Sequence, residues 1–179
     1  SHIEEESRLI RKAIKERDTV TLRELNKGQM LKHVAQFITH EKREFGCNAG
    51  RKYTAVSAKG EVFLCHRLVG HNEFKLGNVF KGSLERDIYQ ISPTNVSDKC
   101  KTCHAKYICS GGCYYKNRLA SGTPFQQDEN MCPGIQRQAE LASATSTSLT
   151  HDDLQYLINE NIFQLDAMDI EDCQNKDDL

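Results

Sequence analysis

The stretch CKTCHAKYICSGGC, residues 100–113, carries four of the chain's eight cysteines. Thiols this dense constrain the fold more than any hydrophobic pattern does, because whatever they hold must be enclosed by short loops. The full set falls at positions 47, 65, 100, 103, 109, 113, 132 and 173. Composition gives these thiols structural weight. With 38% apolar residues, 7% aromatics and no Trp, the core is thin for 179 residues, so covalent or metal crosslinks are expected to supply part of the stability.

No apolar run approaches the roughly 20 residues of a membrane span. The opening SHIEEESRLIRK also lacks the apolar segment of a secretory signal. Both features predict a cytoplasmic protein with no membrane partner, in which close cysteines are metal ligands more often than disulfides. The formal net charge of −1 hides an asymmetry. From His151 to Leu179 there are nine acids and one Lys, which leaves 23 basic and 16 acidic residues, net +7, for positions 1–150. A basic body suits nucleic acid, but it equally balances buried anionic clusters. The reading adopted is no nucleic-acid partner.

Three zones follow from the patterning. Residues 1–46 lack cysteine and read as helical; Thr21 with Glu24 resembles a capping box. Met30, Leu31, Val34, Phe37 and Ile38 form one apolar stripe at helical spacing, which needs a partner surface. Residues 47–134 hold seven cysteines. There YTAVSA and EVFLC flank Lys59-Gly60 as a β-hairpin, Gly77-Asn78 reads as another turn, and Ser83 as the cap of a short helix, LERDIY. Residues 135–179 begin as a helix, break at SATSTSLT, and resume with Leu154, Leu157, Ile158, Ile162 and Leu165 along one face. The last dozen residues carry the composition of a disordered acidic tail.

Four chemistries compete for the thiols. Disulfides conflict with the missing secretory signal. Cys100-Lys-Thr-Cys103-His104 satisfies the c-type haem pattern, but haem would leave the zone's other cysteines idle. Zinc uses paired CxxC knuckles; only one CxxC exists here, and the other intervals are five, three and eighteen residues. Iron–sulfur clusters accept irregular spacings, since a cluster several ångströms across collects ligands from different directions.

The order Cys47, twelve residues, Gly60, four residues, Cys65, then Cys100-x2-Cys103-x5-Cys109-x3-Cys113 and finally Cys132 resembles the seven-cysteine signature of the SPASM domain. This is the auxiliary-cluster domain of radical S-adenosylmethionine enzymes that modify peptides and proteins. The context CNAG, GEVFLCHRLVG, FKLGNVF and CSGGC is similar too, with wording close to thioether-forming peptide maturases and to enzymes maturing quinohemoprotein amine dehydrogenase. The resemblance covers residues 47–132. It implies an α+β fold: a small domain of β-hairpin and short helices wrapped around two iron–sulfur clusters and flanked by helices.

Carried over residue by residue, the resemblance gives Cys47, Cys65 and Cys113 to a first [4Fe–4S] cluster. It gives Cys100, Cys103, Cys109 and Cys132 to a second. The first set has three ligands and residues 1–46 contain no further cysteine, so either one iron stays open to a substrate thiolate or Cys173, His66 or His71 closes it. Gly111 and Gly112 would let backbone amides approach cluster sulfurs, and Lys99, Lys101, Lys106 and Lys116 would offset thiolate charge. The chain has no CxxxCxxC loop. The resemblance therefore implies that residues 1–46 lead out of a missing radical core, which would hold S-adenosylmethionine and a third [4Fe–4S] cluster. The chain alone would then be inactive, serving electron transfer and substrate binding within a peptide maturase that forms thioether crosslinks. The implied partners are a cysteine-containing precursor peptide or small protein subunit, and an electron donor protein. The alternative is a zinc-stapled peptide- or nucleic-acid-binding module without catalysis.

Overall fold

The computed structural model describes residues 1–82 and 84–163; Ser83, Leu165, Cys173 and the acidic end lie outside these. Within them the chain is α+β, with eight α-helices and one three-stranded antiparallel sheet. It divides into two compact units: Ser1–Lys42 with the described residues from Pro133 onward, and Arg43–Cys132.

The first unit is helical. α1 (His2–Lys15) starts from a Ser1–Glu4 capping box, with acids in its first turn and lysines in its last, matching both ends to the helix dipole. α2 (Thr19–Leu25) is capped by Asp18, whose carboxylate accepts the Thr21 N–H at 3.0 Å and the Thr21 hydroxyl at 2.6 Å. Thr21 thus sits inside the helix rather than capping it: Asp18, three residues earlier, offers the stronger acceptor. α3 (Met30–Ile38) carries the expected stripe, with Met30, Leu31, Val34 and Ile38 buried and Phe37 packed at the edge.

The partners of that stripe are this chain's own. α7 (Cys132–Ser148) and α8 (His151–Asn159) add Leu141, Ala142 and Leu157, and the residues after α8 add Ile162 and Phe163. Ile10, Ile14 and Leu22 complete the cluster. α8 is tied down at its ends: Arg17 pairs with Asp153 at 2.8 Å, Thr19 bonds the Tyr156 hydroxyl at 2.8 Å, and Asn26 donates to the Ile162 carbonyl at 3.0 Å. The expected break at SATSTSLT is absent through Ser148. The hydroxyls of Thr145, Ser146, Thr147 and Ser148 donate back to carbonyls three or four residues earlier, and buried Thr145 also meets Ser7, so the polar run stays satisfied inside a helix. No helix among the described residues is long and apolar enough to cross a membrane.

The second unit is built on the hairpin. β1 (Ala55–Val56) pairs with β2 (Glu61–Phe63), and β2 with β3 (Lys75–Asn78), all antiparallel. Gly60 closes the first turn at φ +76, where a side chain would lie 2.5 Å from the Phe80 ring. The positive φ favours glycine there. Lys75 bridges to Glu61 across the strands at 2.6 Å. Gly77 and Asn78 end β3 rather than forming a turn: Gly77 pairs with Val62, and the chain reverses just beyond, where Lys81 N–H reaches the Asn78 carbonyl. The helix expected over LERDIY is also replaced. Leu84 bridges back to Gly77, and only Asp87–Gln90 turns, as a 3-10 helix.

Because Leu157 is fully enclosed by the first unit's core, Leu157→Ala should destabilise it by about 2–5 kcal/mol in denaturant unfolding. Val20→Ala, at a position 75% exposed in α2, should change little; equal losses would mean α8 does not seal that core.

Candidate metal centre

Short elements carry the seven cysteines of the second unit. Cys47 follows a loop whose Gly46 N–H donates to the Ser110 carbonyl. A side chain at Gly46 would lie 3.2 Å from backbone atoms of Cys109 and Gly112, so the strand of chain bearing Cys47 runs against the turn that precedes Cys113. Cys65 ends the strand segment after β2 and begins the 3-10 turn His66–Leu68. Cys100 sits in α4 (Asp98–Lys101), Cys103 just after it, and Cys109 ends α5 (Lys106–Cys109). Cys113 caps α6 (Tyr114–Ser121), and Cys132 is the first residue of α7.

The turn between Cys109 and Cys113 is left-handed for three residues running, with Ser110 at φ 51, Gly111 at 82 and Gly112 at 68. Such a run is open to glycine and strained for most others. Asn117, buried in α6, clamps it by donating to the Gly111 carbonyl at 2.9 Å and the Pro124 carbonyl at 3.0 Å. Pro93 closes the outer side, since a side chain at Gly111 would lie 2.8 Å from its ring.

Electrostatics sort the thiols into two neighbourhoods. Burial pushes the Cys65 thiol up; the backbone N–H groups of Arg67 and Leu68 pull the other way, while Cys47 and Cys113 push it further up. Cys109 is likewise pushed up by burial, against the Gly111 N–H, with Cys132, Cys100 and Cys103 as its thiol neighbours. Burial raises Cys132 as well, with Lys99 opposing and Cys100 and Cys103 adding to it. One neighbourhood is therefore Cys47, Cys65 and Cys113; the other is Cys100, Cys103, Cys109 and Cys132.

Among the described residues, no three or more Cys, His, Asp or Glu side chains converge as the ligands of a single ion do. An all-thiolate donor set suits soft metals and iron–sulfur clusters.

The surroundings separate further. At the first neighbourhood the Tyr53 hydroxyl lies 3.2 Å from the Cys47 sulfur; this bond, then burial, pushes the hydroxyl up to about 12, keeping its proton available for donation. Tyr114, next to Cys113, packs with Tyr89 and Phe125 at ring separations of 5.6 to 6.1 Å. Around them Ala49, Val62, Leu64, Leu68, Phe74 and Leu76 form the unit's core. At the second, the Cys100 thiol donates to Gln127 at 2.9 Å.

Three of the four lysines singled out in the sequence bond to nearby polar groups: Lys99 with Glu129, Lys101 with Asp98, and Lys106 with Asn95. Lys99 does border the second neighbourhood, where Cys132 and Cys100 help raise its pKa after Glu129. His66 and His71 are exposed, and His71 stands 3.9 Å from Glu73. Sequence reasoning missed Tyr53, Asn117 and Gln127, none of which has a motif. For Gln127 the only signal was its place between Cys113 and Cys132.

Residues 47–114 match the SPASM family, an iron–sulfur cluster-binding domain. The SPASM match takes in six of the cysteines and stops before Cys132. No curated protein matches the chain.

The left-handed turn generates a comparison. Gly111→Ala combines positive φ with the Pro93 contact, whereas Gly122→Ala, at φ +81, meets nothing within 4 Å. Thermal unfolding should show Gly122→Ala costing about 1 kcal/mol and Gly111→Ala clearly more; equal losses would remove Pro93 as the wall of the turn.

Proposed function

We propose that residues 47–132 form an auxiliary domain that holds two [4Fe–4S] clusters, one on Cys47, Cys65 and Cys113, the other on Cys100, Cys103, Cys109 and Cys132. The observation that carries this reading is the division of the thiols into two neighbourhoods of three and four, interleaved along the chain, in a segment that matches an iron–sulfur cluster-binding family. When bound, such clusters supply one-electron transfer. The protein's part is to exclude water with the Tyr89, Tyr114 and Phe125 group, and to donate N–H bonds to thiolates from Arg67, Leu68 and Gly111.

At the finer level, we propose that this domain serves a radical S-adenosylmethionine enzyme acting on a cysteine-containing ribosomal peptide or small protein subunit, with thioether formation as the reaction. SPASM domains typically occur in such enzymes, and the segments GEVFLCHRLVG and FKLGNVF resemble the thioether-forming maturases. The radical step needs a CxxxCxxC loop, which these 179 residues do not contain, so it is assigned to a separate core. An electron donor protein would reduce the clusters. The first set, with three thiols among the described residues, is the one suited to receive a substrate cysteine.

Anaerobic reconstitution followed by iron, sulfide and zinc analysis tests the cofactor assignment. About eight irons and eight acid-labile sulfides per chain are expected. Near-stoichiometric zinc without sulfide, persisting after reconstitution, would overturn it in favour of a zinc-stapled binding module.

A further inference from the structure

We infer that the side-chain amide of Gln127 donates an N–H hydrogen bond to the Cys100 sulfur in the loaded protein and thereby sets the potential of the second cluster. The inference rests on the assignment of Cys100 as a thiolate ligand. Gln127 is 7% exposed, and its two amide atoms are treated very differently. Oε1 accepts from the Cys100 thiol at 2.9 Å, whereas Nε2 is buried without a hydrogen-bond partner. A buried orphan donor is costly, and buried side chains of this kind ordinarily have a partner.

Ligation changes the chemistry of the pair. A cysteine that binds metal has lost its proton, so the Cys100 sulfur becomes an acceptor only. The Gln127 carbonyl would then stand 2.9 Å from an anion with no hydrogen between them. Rotation of the terminal amide exchanges two atoms of nearly equal size without moving the rest of the side chain. It turns the orphan Nε2 into the donor the thiolate needs. The carbonyl displaced by this turn is the more easily tolerated orphan, since buried N–H groups go unpaired more rarely than C=O groups.

The position borders the turn before Cys113. Gln127 Cγ lies 3.8 Å from where a side chain at Gly112 would begin, and Cys132 follows five residues on, at the start of α7. The segment 127–132 thus brings one ligand and one donor to the same set of thiols. An N–H bond to a ligand sulfur stabilises the more negative, reduced cluster and raises its potential. Gln127 is therefore a positioning and tuning residue for the second cluster.

The test uses the whole chain, reconstituted without air, with Gln127→Met as a variant of similar length that lacks the N–H. Iron and sulfide should match the parent chain. One midpoint should move negative, so that the reduced-to-oxidised ratio at the parent midpoint falls about tenfold, equivalent to about 59 mV for one electron. The other midpoint should stay in place. A loaded variant with both midpoints unchanged overturns the inference. If the substitution prevents loading, the parent chain decides: with glutamine side-chain amides labelled with nitrogen-15, pulsed electron paramagnetic resonance of the reduced clusters should detect a coupled nitrogen, and its absence overturns the inference. A parent chain that binds zinc and no sulfide instead refutes the cluster assignment, and this inference with it.

Discussion

Three consecutive residues with positive φ, Ser110, Gly111 and Gly112, separate Cys109 from Cys113. Cys109 has Cys100, Cys103 and Cys132 as thiol neighbours, while Cys113 acts on Cys65 and Tyr53. A regular helix would place residues four apart on one face; in the proposed assignment the left-handed turn is what parts the two cysteines between two sites. Pro93 on one side and Asn117 on the other leave it little freedom, and Gly46 fits against it closely enough to bring Cys47 to the same end. Much of the second unit can be understood as what is needed to hold this turn.

The rest of that unit is thin. Its strands are two to four residues long and its helices, apart from α6, span a single turn. Buried Cys65 is itself counted among the core residues, and Cys47 packs against them. Under the proposed assignment, ligation by these thiols and core burial would act together, since metal binding supplies folding free energy directly. The helical unit contrasts with it: capped helices surround a continuous apolar core that includes no cysteine among the described residues.

The hairpin around Gly60 was legible because a glycine marks its turn, and the α3 stripe because it repeats at helical spacing; of the residues expected along α8, Leu154 and Leu157 join the core, and Ile162 does so just after the helix. The partners of the α3 stripe were not legible, since Leu141 and Leu157 lie more than a hundred residues away in sequence. SATSTSLT read as a break because serine and threonine disfavour helix interiors on average; back-bonding hydroxyls and the burial of Thr145 reverse that average. Asp18 displaced Thr21 as the cap of α2, a choice among nearby acceptors that propensity does not rank finely. The cysteine sets came from resemblance. What spacing alone left open, the neighbourhoods of Cys65, Cys109 and Cys132 describe in physical terms. Tyr53 and Asn117 reach partners six or seven residues away and Gln127 one 27 residues away, and no motif marks any of the three.

The central claim is that cysteines four residues apart serve different clusters. Cys109→Ala and Cys113→Ala, each reconstituted without air and examined by Mössbauer and electron paramagnetic resonance spectroscopy, test it most directly. The account predicts that each substitution abolishes or converts a different one of two spectroscopically distinct [4Fe–4S] clusters, Cys109→Ala disturbing the one that Cys103→Ala disturbs and Cys113→Ala the one that Cys65→Ala disturbs. Loss of the same cluster in both variants would contradict it.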